Sequence, residues 1–248
     1  ASWGVFKVPT PGTANTGAYT KYADKPVVSL PAGFYLVSAT VALTTTEPSS
    51  QIRYTLNGME PGITSTLYSA PITITTTSVL KAATFSTNPL VLQSFMEINT
   101  YFINVNHALP VVSIAGTQLT TLANGNNNLK PLGSFEYFDI NKVRTANTYG
   151  EFNSHGQDSW ANSQRSLDFV SRDEMGYNHS IEEKLFSISD RNAFQRIILR
   201  AAGDDNYPAD HNPDNVGSAH VRDAFIHNLA KKGGMSLDVR TATKCIIY

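Results

Sequence analysis

The chain has little of three things that would narrow its class at once: cysteine, charge and long apolar runs. It contains one cysteine, Cys245, in 248 residues, so an intrachain disulfide is excluded. Charged residues make up 16% of the chain and the formal net charge is −1, which gives a nucleic-acid partner little electrostatic support. No apolar run approaches the roughly 20 residues that a membrane-spanning helix needs. We therefore expect no nucleic-acid partner and no membrane span.

Uncharged polar residues, above all Thr, Ser and Asn, take the place of charge in this chain. Apolar residues make up 41%, which is ordinary for a protein with a packed core. This composition is typical of secreted bacterial β-proteins, so we expect an extracellular or bacterial cell-surface location. The length of 248 residues suits two modest domains or one large one.

The first 30 residues lack a clear strand or helix pattern. Residues 9–17 are rich in Pro, Gly and Asn, which interrupt regular structure. We interpret residues 1–30 as a linker or as the end of a preceding β-domain. Trp3 and Gly4, followed by this segment, resemble the last strand and exit of a lamin-tail-type β-domain.

Residues 31–105, called the β-module below, consist of short alternating runs separated by turn signals. The run around Tyr54 alternates apolar and polar residues, and Asn57 and Gly58 then favour a tight turn. A second run places four residues on one face: Val37, Ala39, Val41 and Leu43. We predict an antiparallel β-sandwich with no helix longer than about two turns. Tyr54 should be buried and Asn57 exposed.

The β-module carries a recognisable string at residues 54–61, which reads Y-T-L-N-G-M-E-P. It resembles the Y-T-x-D-G-x-x-P core of the small C-terminal Ig-like module of chitobiases and β-hexosaminidases. Further matches follow in the same order: Ser65-x-Leu67-Tyr68, Ala70-Pro71-Ile72, Val79-x-Lys81-Ala82 and a closing Tyr101. Asn57 stands where the pattern has its first Asp, at a turn position that either residue fills. Because that module is usually an accessory, the resemblance implies a spacer or docking unit and names no reaction.

Residues 106–248 mix strand and helix patterns, which predicts an α+β domain. Strands are predicted at residues 135–138, 167–170 and 197–199. A helix is predicted from about Ser218, its expected N-cap, to Lys232, with Gly233 and Gly234 forming the cap beyond it. One stripe of this helix contains five residues at helical spacing: Val221, Ala224, Phe225, Asn228 and Leu229.

The last predicted strand runs to the final residue, Tyr248, without a turn or polar tail. A free apolar edge strand is a hazard that complete domains normally cover. We therefore expect residues 244–248 to lie in a sheet with one side unpaired, or completed by material outside this chain. We also expect the helix to pack on that sheet through Val221, Phe225 and Leu229.

Four stretches of the second domain resemble, in order, the first half of the CotH (spore-coat protein H) kinase-like family. They are the opening strand at residues 109–113, the turn and strand from His155-Gly156-Gln157-Asp158-Ser159 to Gln164-Arg165-Ser166-Leu167, the run Leu199-Arg200-Ala201-Ala202-Gly203-Asp204-Asp205, and the helix start Val221-Arg222-Asp223-Ala224-Phe225. Residues 244–248 resemble the strand before the family's Asn-Gly hairpin. On this resemblance, residues 106–248 are a truncated N-terminal part of an atypical kinase-like domain.

The resemblance implies ATP with Mg or Mn as cofactors in the complete protein, because such kinases steady phosphates with a lysine and hold metal with aspartates. Arg165 stands at the position of that lysine and is our nucleotide-binding candidate. Arginine keeps the charge but is larger and binds phosphate differently. The family's metal-binding aspartates match positions beyond Tyr248. We therefore expect no catalytic residue and no complete phosphoryl transfer from this chain alone.

The loop at residues 204–215 concentrates oxygen ligands for Ca²⁺: Asp204, Asp205, Asp210, Asn212 and Asp214. The alternation of its later members is like the start of an EF-hand loop, but Asn215 and Val221 stand where that loop needs Gly and Glu. An irregular calcium site and a solvated loop before the helix both remain open. A zinc site from His155, His211 and His220 with Asp158 or Asp223 matches no standard spacing.

Three further interpretations rest on single residues or motifs. Trp160 could stack on a sugar if it is exposed, or fold onto its domain. Cys245 lies in an apolar run and is expected to be a buried structural thiol. No G-x-S-x-G motif occurs, and the chain is too short for the catalytic barrel of a hexosaminidase.

The sequence thus predicts a protein that is mostly β plus α+β, with an Ig-like sandwich followed by an incomplete kinase-like domain. One hypothesis is a segment of a secreted or cell-surface bacterial multidomain protein of the CotH kinase type. The alternative is a non-catalytic surface, adhesive or scaffold protein that retains the fold. The expected partners are other domains of the same protein, cell-surface proteins and glycans.

Overall fold

The chain divides into two compact units, residues 1–107 and residues 108–248. The sequence had placed this boundary between residues 105 and 106. The structure is a computed structural model, and the residues it describes are 4–8, 10–157, 160, 164–173, 176–187, 189–201, 221–235, 243 and 245–248. Strands dominate both units, and within these residues no helix has the length and apolarity needed to cross a membrane.

The first unit is built from short strands with no helix among its described residues. The strands are β1 (Lys21–Tyr22), β2 (Val27–Val28), β3 (Gly33–Tyr35), β4 (Ala39–Val41), β5 (Leu43–Thr44), β6 (Ser50–Thr55), β7 (Thr66–Leu67), β8 (Ile72–Ile74), β9 (Ser78–Ser86), β10 (Val91–Leu92) and β11 (Glu97–Ile103).

Five of these strands form one sheet in the order β3-β11-β9-β6-β7, and the others pair as β4-β8, β2-β5 and β1-β10. Most pairings are antiparallel, as predicted, but β3 runs parallel to β11 and β1 parallel to β10. The core contains alternate residues of several strands: Ala39, Val41, Leu43, Ile52, Ile72, Ile74, Leu80, Ala82, Tyr101 and Ile103. The alternation seen in the sequence is therefore the alternation of core and outward positions.

Residues near the predicted turn behave largely as expected. Asn57 is exposed, and Gly58 has a φ of +74°, a backbone conformation that glycine adopts without strain. Tyr54 is half-buried rather than buried, with its ring packed against the core. Val37 is 80% exposed, because it lies in the bend before β4 and not on the strand that continues its alternation.

Part of the segment interpreted as a linker belongs to the first unit. β1 pairs with β10, and β2 pairs with β5, so these two strands belong to this unit. Glu47 fastens the segment: its Oε2 accepts hydrogen bonds from Lys21 Nζ at 2.6 Å and from the Asp24 amide at 3.2 Å. This hydrogen bond is the main reason that the pKa of Lys21 is raised above its ordinary value. Two-residue strands give little sequence signal, which explains the difference from the prediction.

The second unit is a six-stranded sheet with two helices described. Its elements are β12 (Val111–Ala115), α1 (Leu119–Ala123), β13 (Leu132–Phe138), β14 (Arg144–His155), β15 (Ser166–Ser171), β16 (Arg196–Leu199), α2 (Arg222–Lys232) and β17 (Ile246–Ile247). The strand order is β16-β15-β14-β13-β12-β17, antiparallel except for the parallel pair β12-β17.

One face of this sheet forms an apolar core centred on stacked aromatic rings. Phe169 lies between Phe135, at a centroid distance of 5.1 Å, and Phe152, at 4.7 Å. Leu122 of α1 and Ile181, from the segment between β15 and β16, complete this core and are fully buried.

A row of three glycines crosses this sheet: Gly116 just after β12, Gly133 on β13 and Gly150 on β14. Gly133 on β13 lies opposite Gly150 on β14, which lies opposite Ser171 on β15. A Cβ at Gly150 would lie 2.0 Å from the Val170 carbonyl oxygen, and one at Gly116 would lie 2.4 Å from the Leu132 carbonyl oxygen. Side chains larger than hydrogen therefore do not fit in this row.

Helix α2 begins later and packs less than the sequence predicted. It starts at Arg222 after an N-cap at Val221 that makes no side-chain capping bond, and Ser218 lies outside the described residues. Its C-cap is Gly233, as expected. No residue of α2 is buried; Phe225 is 61% exposed and Leu229 is 56% exposed. The prediction that this face packs on the sheet is wrong, because helical spacing reports amphipathicity and not what covers the apolar side.

Strand β17 lies at the edge of the sheet. The Ile246 amide donates to the Pro110 carbonyl, and the Ile114 amide donates to the Tyr248 carbonyl, both at 2.9 Å. Among the described residues, no strand pairs with the other side of β17.

Candidate functional site

Arg165, the predicted nucleotide-binding residue, precedes β15 and faces the end of α1. Its Nη1 donates to the Ala123 carbonyl and its Nε to the Trp160 carbonyl, each at 3.1 Å. The guanidinium carbon lies 5.8 Å from the Trp160 ring centroid, a cation–π distance. A cation at the C-terminal end of a helix satisfies carbonyls that the helix leaves unpaired. As placed, Arg165 ties α1 to the start of β15.

A glycine in the turn that follows α1, Gly125, lies beside the Arg165 guanidinium. Gly125 has a φ of +116°, and a Cβ built there would lie 3.5 Å from the Arg165 guanidinium. The side chain is half-buried. Elsewhere in the second unit, the Asp223 carboxylate on α2 contacts the Arg200 guanidinium just after β16.

Trp160 is folded onto its unit, in agreement with one of the two interpretations of the sequence. Its Nε1 donates to the His155 carbonyl at 2.9 Å, and its ring packs against the aromatic core. A tryptophan held by both contacts has one ring face against protein. The stacking surface that a sugar would need is correspondingly reduced.

A histidine, an aspartate and an arginine form a chain of contacts across β14, β15 and β16. His155 Nδ1 lies 3.3 Å from Asp168 Oδ1, and Arg196 Nη2 lies 2.6 Å from Asp168 Oδ2. The Asp168 side chain is 7% exposed, and its hydrogen bond raises the pKa of Arg196. Ser166, the hydroxyl nearest in register to His155, accepts the Ala201 amide at 3.0 Å. We interpret this chain of contacts as a structural link joining three strands, with the Arg196–Asp168 ion pair at its centre.

The calcium ligands predicted from the sequence lie between residues 204 and 214. Asp204, Asp205, Asp210, Asn212 and Asp214 all lie outside the described residues. The same holds for three members of the zinc hypothesis: Asp158, His211 and His220. Within the described ranges, no three His, Cys, Asp or Glu side chains come together in a group that could hold a metal ion.

Cys245 behaves as the structural thiol that its apolar surroundings predict. It is half-buried and packs against the aromatic core beside β17. Burial raises the pKa of its thiol above the ordinary value. A thiol with a raised pKa is a poor nucleophile at neutral pH, because the thiolate is the reactive form.

A groove that no sequence pattern indicated lies on the first unit, at the β7 edge of the five-stranded sheet. Its lining combines one aromatic ring with hydroxyl and amide groups: Tyr54, Thr55, Leu56, Asn57, Thr64, Ser65 and Thr66. We call this the β7 groove. The cluster Thr64-Ser65-Thr66, just after the recognised string, was the signal available in the sequence.

Comparison with known proteins finds a family match within the first unit. Residues 30–90 match the sequence profile of the family described as the chitobiase/β-hexosaminidase C-terminal domain. This range contains the string at residues 54–61 and the strands from β3 to β9. The match supports the Ig-like module seen in the sequence and in the fold. Neither the curated proteins nor the solved structures contain a match to this chain.

Proposed function

We propose that the chain is part of a secreted or cell-surface bacterial multidomain protein, in which the β-module serves as a spacer or docking unit. The observation that carries this proposal is the match of residues 30–90 to a C-terminal domain of carbohydrate-active enzymes. Such a domain accompanies a catalytic domain and does not itself supply the chemistry. The hydroxyl-rich, weakly charged composition supports an extracellular location.

For the second unit we propose the N-terminal part of a CotH-type kinase-like domain, with ATP and Mg or Mn as cofactors of the longer protein. Three of the motifs that carry the resemblance lie where strands or a helix begin in the second unit. The opening motif lies on β12, the arginine motif enters β15, and the helix motif begins α2. This order supports the proposal, and Arg165 is the residue through which it can be tested.

The alternative is a non-catalytic scaffold that retains this fold, and one observation favours it. Two of the Arg165 donors are satisfied by backbone carbonyls of the same unit. A phosphate would have to compete with these contacts or use the remaining donors of the guanidinium. A calcium site in the loop at residues 204–214 is compatible with either function.

The discriminating experiment measures ATP binding and thermal unfolding of Arg165 variants in the full-length protein, with Mg²⁺ or Mn²⁺ present. If the unit is kinase-like, Arg165→Lys should retain binding, and Arg165→Ala should weaken it by about 1–3 kcal/mol, the scale of a charge-assisted contact. If it is a scaffold, the unaltered protein should show no saturable ATP binding, and both variants should lower the melting temperature.

Arg172→Ala provides the matched control. Its guanidinium contacts Glu151 at 3.4 Å and its side chain is 40% exposed, so it removes the same charge without touching α1. ATP binding that weakens equally in Arg172→Ala and Arg165→Ala would reflect net charge only, and would contradict the kinase-like proposal.

A further inference from the structure

We propose that the β7 groove binds an uncharged oligosaccharide. The inference concerns the first unit alone and does not depend on whether the second unit is kinase-like. It is carried by the groove's free polar groups, by the fixed geometry of its walls, and by its lack of charged lining residues.

The lining offers the exposed part of the Tyr54 ring, whose other part packs against the core, beside unused hydrogen-bonding groups. Tyr54 and Thr66 lie directly opposite each other on β6 and β7, so the threonine hydroxyl is next to the tyrosine ring. Among the described residues, no hydrogen bond engages the Tyr54 hydroxyl, the Asn57 Nδ2 or the hydroxyls of Thr64 and Thr66. Sugars need this combination, because a pyranose has an apolar face and a rim of hydroxyls.

Other polar groups of the lining hold the groove in shape. The Thr55 hydroxyl donates to the Met59 carbonyl at 2.6 Å, and Asn57 Oδ1 accepts the Met59 amide at 3.1 Å. On the facing wall, Ser65 Oγ accepts the Gly62 amide at 2.9 Å. A site whose walls are fixed before binding loses less conformational entropy on binding. The free groups are therefore displayed on a formed surface.

The chemistry of the lining restricts the ligand. No lining residue is charged, and the guanidinium of Arg53, which contacts the lining, donates to the Ser65 carbonyl at 2.8 Å and to Gln51 Oε1 at 3.0 Å. The lining itself therefore offers no counter-ion to a phosphate, a carboxylate or an ammonium group. A peptide adding to the sheet edge would need a strand to pair with, and β7 has only the two residues Thr66–Leu67. A neutral saccharide chain lying along the open groove satisfies both restrictions.

The test is an NMR titration of the ¹⁵N-labelled chain with cellotetraose and with chitotetraose. Concentrations up to about 10 mM cover the millimolar affinities expected of an open site. We expect saturable shift changes confined to the amides at residues 54–57 and 64–66 with at least one of the two sugars. A tetramer of galacturonate, which is charged, should cause smaller changes.

Two conservative variants and a control assign the contacts. Tyr54→Phe and Thr66→Val each remove one hydroxyl and keep the shape of the side chain. Each should raise the dissociation constant about 5-fold, the effect of one lost hydrogen bond. Thr40→Val makes the same change at an exposed threonine of β4 and should leave binding unchanged. Folding of each variant is verified by its unperturbed spectrum.

Three results would overturn the proposal. One is the absence of shift changes at these amides with both neutral sugars. A second is equal weakening by Thr40→Val. The third is that a hexapeptide of β-branched residues causes shift changes at these amides and neither sugar does. That result would mean that the β7 edge binds a peptide as an added strand.

Discussion

The two units differ in where their exposed apolar residues lie: in the first unit the most exposed, Leu36 and Val37, lie in a bend between strands, and in the second several lie along helix α2. In the first unit, the apolar positions of the β-strands alternate into a core, and even the two-residue strands β1 and β2 have pairing partners. In the second unit, the sheet has an aromatic core on one face, while α2 presents Phe225 and Leu229 to solvent. The same kind of residue is thus worth several kcal/mol of stability in one place and little in another, depending on what covers it.

The largest expected effect contrasts two phenylalanines of the second unit. Phe169→Ala removes a fully buried ring that contacts two others and should cost about 3–5 kcal/mol in the free energy of unfolding. Phe225→Ala removes a ring that is 61% exposed and should change that energy by less than about 0.5 kcal/mol. Urea unfolding followed by circular dichroism measures both. A cost above about 2 kcal/mol for Phe225→Ala would show that the α2 face is covered.

A smaller effect tests how firmly the N-terminal segment is fastened to the first unit. Glu47→Gln removes a charge whose side chain is 2% exposed and which accepts two hydrogen bonds, and should cost about 1–3 kcal/mol. Asp24→Asn removes a carboxylate that is 48% exposed and 4.0 Å from the same lysine, and keeps a side-chain oxygen that can accept the Thr46 hydroxyl, now at 2.6 Å from Asp24 Oδ2; it should cost under about 0.5 kcal/mol. Equal costs in thermal unfolding would mean that Glu47 is not a specific clamp.

The smallest expected effect is at the β17 edge of the second unit's sheet, where the labelling rate of the chain's one thiol, Cys245, serves as the measurement. Because burial raises the pKa of Cys245, its labelling by a thiol reagent should be slow at pH 7–8 and should rise only at more alkaline pH than for a free cysteine. The raised pKa also means that the buried thiol's contribution to stability is present in full below the ordinary thiol pKa of 9.0, and is lost as the pH rises through the folded-state value.

The urea-unfolded chain is the control for this measurement, since it exposes the same thiol. Equal labelling rates in the folded and unfolded chains at pH 7.5 would show that β17 frays from β12. The second unit would then be less complete at its edge than the hydrogen bonds of Ile246 and Tyr248 indicate.

The fold of the first unit was more predictable from sequence than that of the second. Alternation and the Asn57-Gly58 turn are local signals, and the strands that carry them formed. The longest strand, β14, was missed because Arg144–His155 reads as polar, with its core-facing positions occupied by small residues such as Ala146, Thr148 and Gly150. Strand patterns depend on large apolar residues, so a strand that faces the core with small ones is not visible in the sequence.

The candidate sites were harder to predict than the fold. Arg165 was identified from a motif, but its contacts with Ala123 and Trp160 depend on how α1 returns to the sheet, which no local pattern encodes. The β7 groove combines residues of β6 with residues of a loop that becomes adjacent only through β7 pairing. The groups that matter there are ordinary threonines, and only their convergence distinguishes them.

The glycine row across β12, β13 and β14 has a consequence for the choice of strand alignment. A shift of one residue between β13 and β14 would place Ser134 or Leu132 opposite Gly150, and every core residue of β13 would turn to the other face. A two-residue shift would keep the faces but replace Gly133, opposite Gly150, with a residue that has a side chain. The space there is small, because a Cβ added to Gly133 would lie 3.0 Å from the Phe152 ring. The glycines therefore favour one register: the strands can approach this closely only where residues without side chains lie opposite each other, and the shifted registers are excluded.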